Sequence, residues 1–328
     1  MTWDYRAPRW LPGGHAQTIH AALWARRYAQ AAPVWRRERW DTPDADFVDV
    51  DWLVRPADRE PLQEEPPLWV LFHGLEGSSG SHYAQAFADH AYRLGWAMAV
   101  PHFRGCSGEL NRAPRAYHSG DHEEIRWILE RMRSLHSGKI YAVGVSLGGN
   151  ALLRWAEESG HTARATTQAV CAVCSPIDLA ASGHAIGRGF NRQVYTRMFL
   201  RSMKPRALQK WAQYPGLFDR EALLAAKDLY DFDNVFTAPL HGFRDTDDYW
   251  ARASAKPLLG TIRLPALVVN AQNDPFVPAA SLPHQAPAGD WVTLWQPEHG
   301  GHVGFAQGAF PGDVLALPQA VATWLHAQ

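Results

Sequence analysis

The chain has 328 residues, 46% of them hydrophobic and 20% charged, which suits a globular protein with a large buried core. The formal net charge of −1 excludes an electrostatic case for binding nucleic acid or an anionic membrane surface. No stretch approaches the roughly 20 apolar residues of a membrane span, and the N-terminus MTWDYRAPRWLPGGHAQTIH lacks the basic-then-apolar layout of a signal peptide, so the expectation is a soluble, cytoplasmic protein.

In chain order, FVDVDWLV (47–54) alternates and reads as an edge strand, followed by PADREPLQEEPP (56–67), a polar, Pro-rich loop. PLWVLFHG (67–74) reads as a buried strand, HYAQAFADHAYRLG (82–95) as a helix and AMAVPHF (97–103) as a strand. The helical pattern HEEIRWILERMRSLH (122–136), the strand KIYAVGV (139–145), the helix ALLRWAEESG (151–160) and the strand QAVCAVCS (168–175) continue the alternation. Two more buried strands, ALVVNA (266–271) and WVTLW (291–295), close it. Alternating strands and helices predict an α/β fold, a mostly parallel sheet with helices on both faces. Between Ile177 and Gly260 the rhythm breaks into helical, aromatic and basic segments, RQVYTRMFLRSMKPRALQKWAQ and REALLAAKDLYDF among them. This predicts a helical cap (177–260) inserted between two parts of a core, 1–176 and 261–328.

Three cysteines, Cys106, Cys171 and Cys174, cannot make a disulfide framework and suit a reducing compartment. Cys171 and Cys174 invite a redox or zinc reading. They lie in a strand-like run, however, where residues three apart point to opposite faces, so buried structural thiols are expected. The 15 Trp carry no functional reading, because Trp ordinarily sits in or beside the core.

YAVGVSLGGN (141–150) sets Ser146 between Gly144 and Gly148 at a strand-to-helix junction. Such a Gly-x-Ser-x-Gly turn strains the serine backbone and exposes its hydroxyl above the sheet, with glycines where side chains would not fit. A serine needs a base and an acid that orients the base, both on loops at the carboxyl ends of strands. Asp274 follows ALVVNA, and His302 follows WVTLW in the glycine-rich loop HGGHVGF. Asp178, which also follows a strand, rivals Asp274; Pro275 and Pro278 fix a turn around Asp274 and favour it. His299 rivals His302; Gly300, Gly301 and Gly304 let the loop turn the His302 imidazole toward the serine. A metal site on His299 and His302 lacks a carboxylate or cysteine at ligand spacing. Donors for an oxyanion are expected from the backbone N–H groups of Leu147, after the serine, and of Leu75, in the loop HGLEGSSGSHY. That loop has neither the Gly-Lys-Ser/Thr of a phosphate cradle nor a Gly-x-Gly-x-x-Gly fingerprint.

Over nearly its whole length the chain resembles the α/β-hydrolase superfamily, and within it the YheT-like branch related to mammalian α/β-hydrolase-domain lipases. The resemblance rests on LPGGHAQTI (11–19), LFHGLEGSSGSHYAQ (71–85), FRGCSGELNRAPRAYHSG (103–120), GVSLGGN (144–150), DYWARAS (248–254), NDPFVP (273–278) and HGGHVGF (299–305). It implies the α/β-hydrolase fold and a serine hydrolase of carboxylesterase or acylglycerol-lipase type. The triad would be Ser146, Asp274 and His302, the substrate a small-molecule ester, with no metal or organic cofactor required. In two places the chain departs from the family pattern. Asn273 stands where relatives often have a first aspartate, leaving Asp274 the one acid of that turn; Glu123 stands five residues after His118, where some relatives carry the Asp of an acyltransfer signature. An acyltransferase or thioesterase would share every residue named, whereas a non-catalytic ligand-binding protein on the same fold has no need of nucleophile, acid, base and both glycine loops together. The serine at the turn excludes an Asp-nucleophile dehalogenase or epoxide hydrolase.

Overall fold

Each apolar run becomes a strand of one sheet in the computed structural model, which describes residues 3–54 and 65–328. The strands are β1 (Trp35–Asp41), β2 (Phe47–Leu53), β3 (Leu68–Phe72), β4 (Ala97–Pro101), β5 (Ile140–Val145), β6 (Ala169–Val173), β7 (Ala266–Val269) and β8 (Val292–Trp295). They lie in the order 1-2-4-3-5-6-7-8, antiparallel at β1–β2 and β2–β4 and parallel elsewhere. β3, β5, β6 and β7 are buried along their whole length, as strands covered by helices on both faces must be. Most of the loop 56–67 falls outside the described residues.

Residues alternate cleanly between the two faces. Val70, Phe72 and Ala142 pack with helices His122–Leu135 and Leu147–Ser159, while Trp69, Leu71, Tyr141 and Val143 pack with His82–Leu94 and Ala316–His326.

Two expectations need correction. β2 is not an edge strand, because WRRERWD forms β1 outside it. Its charges hide the strand from a hydropathy reading, yet Arg37 and Arg39 stand directly opposite Asp51 and Asp49 and bond them at 2.7 and 2.8 Å. Cys171 and Cys174 do not point to opposite faces but join one apolar cluster. β6 ends at Val173, and Cys174 takes a left-handed backbone (φ 49°), which breaks the alternation there.

No strand occurs between β6 and β7 among the described residues. The intervening stretch is helical, including Leu179–Ile186, Arg197–Gln213 and Thr246–Ala253. It has an apolar cluster of its own, with Leu200, Ala207, Phe218, Leu223, Phe232 and Phe236.

Candidate active site

β3 and β5 adjoin where the chain's crossovers change direction, toward β4 on one side and β6 on the other, so their carboxyl ends open onto a crevice. Ser146 stands there, directly after β5 and directly before helix Leu147–Ser159. Its φ of 54° and ψ of −122° are strained for a residue with a side chain, which tertiary packing must hold in place. The flanking glycines follow from contact distances. A Cβ on Gly148 would lie 2.5 Å from the carbonyl oxygens of Phe72 and His73, and one on Gly144 would lie 2.4 Å from that of Gly148.

Loops after β7 and β8 bring two further groups to the serine. His302 Nε2 lies 3.0 Å from Ser146 Oγ, and His302 Nδ1 lies 2.8 Å from Asp274 Oδ2. The carboxylate can only accept, so Nδ1 carries the hydrogen and Nε2 is left as an acceptor facing the hydroxyl. Asp274 is held in turn by the backbone N–H groups of Phe276 (2.7 Å) and Val277 (3.3 Å), both donating to Oδ1. Its side chain is fully buried, and the Phe276 ring packs on the imidazole with centroids 4.2 Å apart.

The two rivals sit elsewhere. Asp178 accepts from Ala181 N–H as the N-cap of helix Leu179–Ile186 and pairs with Lys256 at 3.2 Å. His299 is half-buried three residues before His302 and takes no part in the Ser146–His302–Asp274 chain.

An N-terminal helix, Gly14–Leu23, braces the His302 loop and was absent from the predicted elements. Gln17, fully buried, accepts from Gly300 N–H (2.9 Å) and from Asn273 Nδ2 (3.0 Å), and Thr18 Oγ1 accepts from His302 N–H (2.8 Å). Asn273 Oδ1 accepts from Gly301 N–H at 2.9 Å, so the residue that departs from the family pattern ties the acid turn to the histidine loop. The loop glycines permit close contact more than free bending: a Cβ on Gly304 would lie 2.6 Å from Gln17 O. The signal for this brace was the motif LPGGHAQTI, which contains both Gln17 and Thr18.

The loop after β3 is fixed by a second set of buried groups. His73 Nδ1–H donates to Gly74 O (2.8 Å) and Nε2 accepts from Phe103 N–H (3.1 Å), a neutral ring tying the β3 and β4 loops together. Burial holds its pKa down to about 3. Gly74 N–H donates to the Tyr83 hydroxyl and Glu76 N–H to the Tyr117 hydroxyl. Between them the Leu75 N–H, like that of Leu147, has no acceptor among the described residues.

Leu75, Ser146, Leu147, Phe199, Trp250 and Phe276 line one cavity with about 1070 Å³ of empty space, its mouth included. Cys174 Sγ, Asp274 and His302 also offer three ligand atoms within 4.8 Å of one another. Burial and the neighbouring Asp274 charge raise the Cys174 thiol well above its ordinary range, which keeps it protonated, the reverse of what a metal ligand needs.

A mostly parallel sheet carrying these groups on the loops after β3, β5, β7 and β8 defines the α/β-hydrolase class. The chain belongs to the α/β-hydrolase fold family, whose model matches residues 67–309. Within it the chain is similar to YheT of Escherichia coli, named as a candidate esterase, with 38% identity over 95% of this chain and 89% of that one. Mouse phospholipase ABHD3 is 26% identical over 89% of this chain and 72% of its own. Among solved structures, mouse α/β-hydrolase domain-containing protein 10 aligns over 89% of this chain and 99% of that one, with a TM-score of 0.52 and 13% identity, a likeness of fold.

Proposed function

We propose that the chain is a serine hydrolase that cleaves carboxylic esters of short- to medium-chain acyl groups, or acylglycerols, through an acyl-enzyme on Ser146. The observation that carries this reading is the unbroken chain Ser146–His302–Asp274, on a serine held in a strained backbone. The esterase and phospholipase names of the relatives support the reaction class.

His302 Nε2 takes the hydroxyl proton as Ser146 Oγ bonds to the ester carbonyl carbon. Asp274 keeps the imidazole in the required tautomer and stabilises its cation. The negative charge on the carbonyl oxygen is received by the N–H groups of Leu75 and Leu147, whose lack of other acceptors suits them to the task. His302 then gives its proton to the alkoxy oxygen, the C–O bond breaks and the alcohol leaves. Water, activated by the same base, releases the acid and restores Ser146. Residues 177–260 act as a cap over the cavity, and Phe199, Phe232, Phe236 and Trp250 make its wall apolar enough for an acyl chain.

Fluorophosphonate labelling tests the nucleophile, and a p-nitrophenyl ester series of increasing acyl length tests the substrate class. Labelling and hydrolysis should both vanish in Ser146→Ala with folding unchanged. Label retained by that variant would overturn the assignment.

A further inference from the structure

Asp233 opens a single π-helical turn, Asp233–Thr237, and lines the same cavity as Ser146. π-turns recur at functional sites because their irregular backbone redirects a side chain. Asp233, itself half-buried, differs from the carboxylates buried inside the molecule, which have basic partners: Asp274 has His302. Asp46, Asp49, Asp51, Asp121 and Glu124 each hold an arginine. Asp233 Oδ2 accepts from Trp250 Nε1–H at 2.9 Å, and no cation pairs with the carboxyl among the described residues. Desolvation outweighs the hydrogen bonds from Thr237 and Trp250 and pushes the carboxyl up to about 6.

A second group points the same way. Ser182 is 2% exposed, lines the cavity and has no hydrogen-bond partner for its hydroxyl. Its neighbour Gly183 packs against the Trp250 ring, where a Cβ would lie 2.3 Å from Cη2, and Ser182 and Asp233 line the one cavity. Tyr249, Phe232 and Phe236 complete an apolar wall in which an ion pair would be weakly screened.

We propose that Asp233 and Ser182 form a cation-recognising subsite of this cavity, which takes an ammonium group carried by an apolar chain. This deepens the reading of the cavity as the substrate site and rests on it. The ammonium would supply the missing counter-ion of Asp233 and an N–H donor for the Ser182 oxygen. An uncharged amide of the same length could supply the second of these and not the first.

The test compares octylammonium with octanamide as competitive inhibitors of p-nitrophenyl butyrate hydrolysis, and as ligands that raise Tm. Octylammonium should bind about tenfold more tightly, the lower end of what a close charge pair contributes. Asp233→Asn keeps an acceptor for Trp250 and should bring the two ligands within about threefold while p-nitrophenyl butyrate is still turned over. Ser182→Ala, which disturbs no hydrogen bond, should weaken both ligands, since each offers an N–H to the serine oxygen, and keeps the test open if Asp233→Asn does not fold. Equal binding of both ligands to the unaltered protein, a preference that survives Asp233→Asn, or binding of both ligands untouched by Ser182→Ala would overturn the proposal. Ligand-induced Tm shifts need no ester turnover, so failure of the hydrolase reading and failure of this subsite are told apart.

Discussion

Replacing Asp274 by Asn tests the triad at the point where structure and chemistry separate most cleanly. The amide oxygen can still accept from Phe276 and Val277 N–H, and the side chain keeps its volume in a fully buried site, so the turn should survive. Its NH₂, however, would face His302 Nδ1 across the 2.8 Å now spanned by N–H···O⁻. The imidazole must then carry its hydrogen on Nε2, pointing at Ser146 Oγ, and can no longer take the serine proton. An amide in place of a triad aspartate lowers kcat by roughly 10⁴, about 5.4 kcal/mol of transition-state stabilisation. The assay is kcat and KM for p-nitrophenyl butyrate beside a thermal melt of the same preparation. Asp178→Asn is the control. It should lose about 1 kcal/mol or less through its helix cap, since its partly exposed pair with Lys256 adds little, and should leave kcat nearly unchanged. Retention of more than about a tenth of kcat by a folded Asp274→Asn protein would refute the reasoning, because no proton-accepting tautomer would then be required.

His302→Ala should cost about as much kcat as Ser146→Ala, since triad members act as a unit, and His299→Ala far less; the reverse order in steady-state kinetics would move the base to His299. Gln17→Ala strips the acceptor from Gly300 N–H and Asn273 and should destabilise the protein by about 3 kcal/mol. It should also lower kcat more than it raises KM, and an unchanged urea midpoint would discount the brace. Burial holds His73 and His118 down to about 3 and His82 to about 4, whereas in the unfolded chain each titrates near 6.5. Above pH 6.5 both states are neutral and nothing is lost. Below it the unfolded chain takes up protons that the folded one refuses, so stability should fall toward pH 4 by at most about 4 kcal/mol per pH unit for the three together. Urea midpoints that stay level from pH 7 to 5 would contradict this.

How much of this was legible before folding depends on the range of the interaction concerned. The strands β3 to β8 and the turn around Ser146 are written locally, because an apolar run bounded by turn residues, and glycines on both sides of a serine, restrict the chain within a few residues of themselves. The order of Ser146, Asp274 and His302, each after a strand, carried over directly, since parallel strands deliver their carboxyl-end loops to one edge of the sheet. β1 was hidden because its arginines look like surface until Asp49 and Asp51 stand opposite them. Helix Gly14–Leu23 carried no stated role until Gln17 and Thr18 met a loop nearly 300 residues away. Pro275 and Pro278 favoured Asp274 over Asp178, and the loop glycines favoured His302 over His299, but the contacts of His302 with Asp274 and Ser146 join loops far apart in sequence and exist only in the folded sheet. The unpaired carboxyl of Asp233 is the extreme case. Any aspartate in a helical segment reads as solvated, and only packing against Trp250 and the cavity wall takes away part of its water without supplying a counter-ion, because burial is a property of the whole fold and not of the neighbours in sequence.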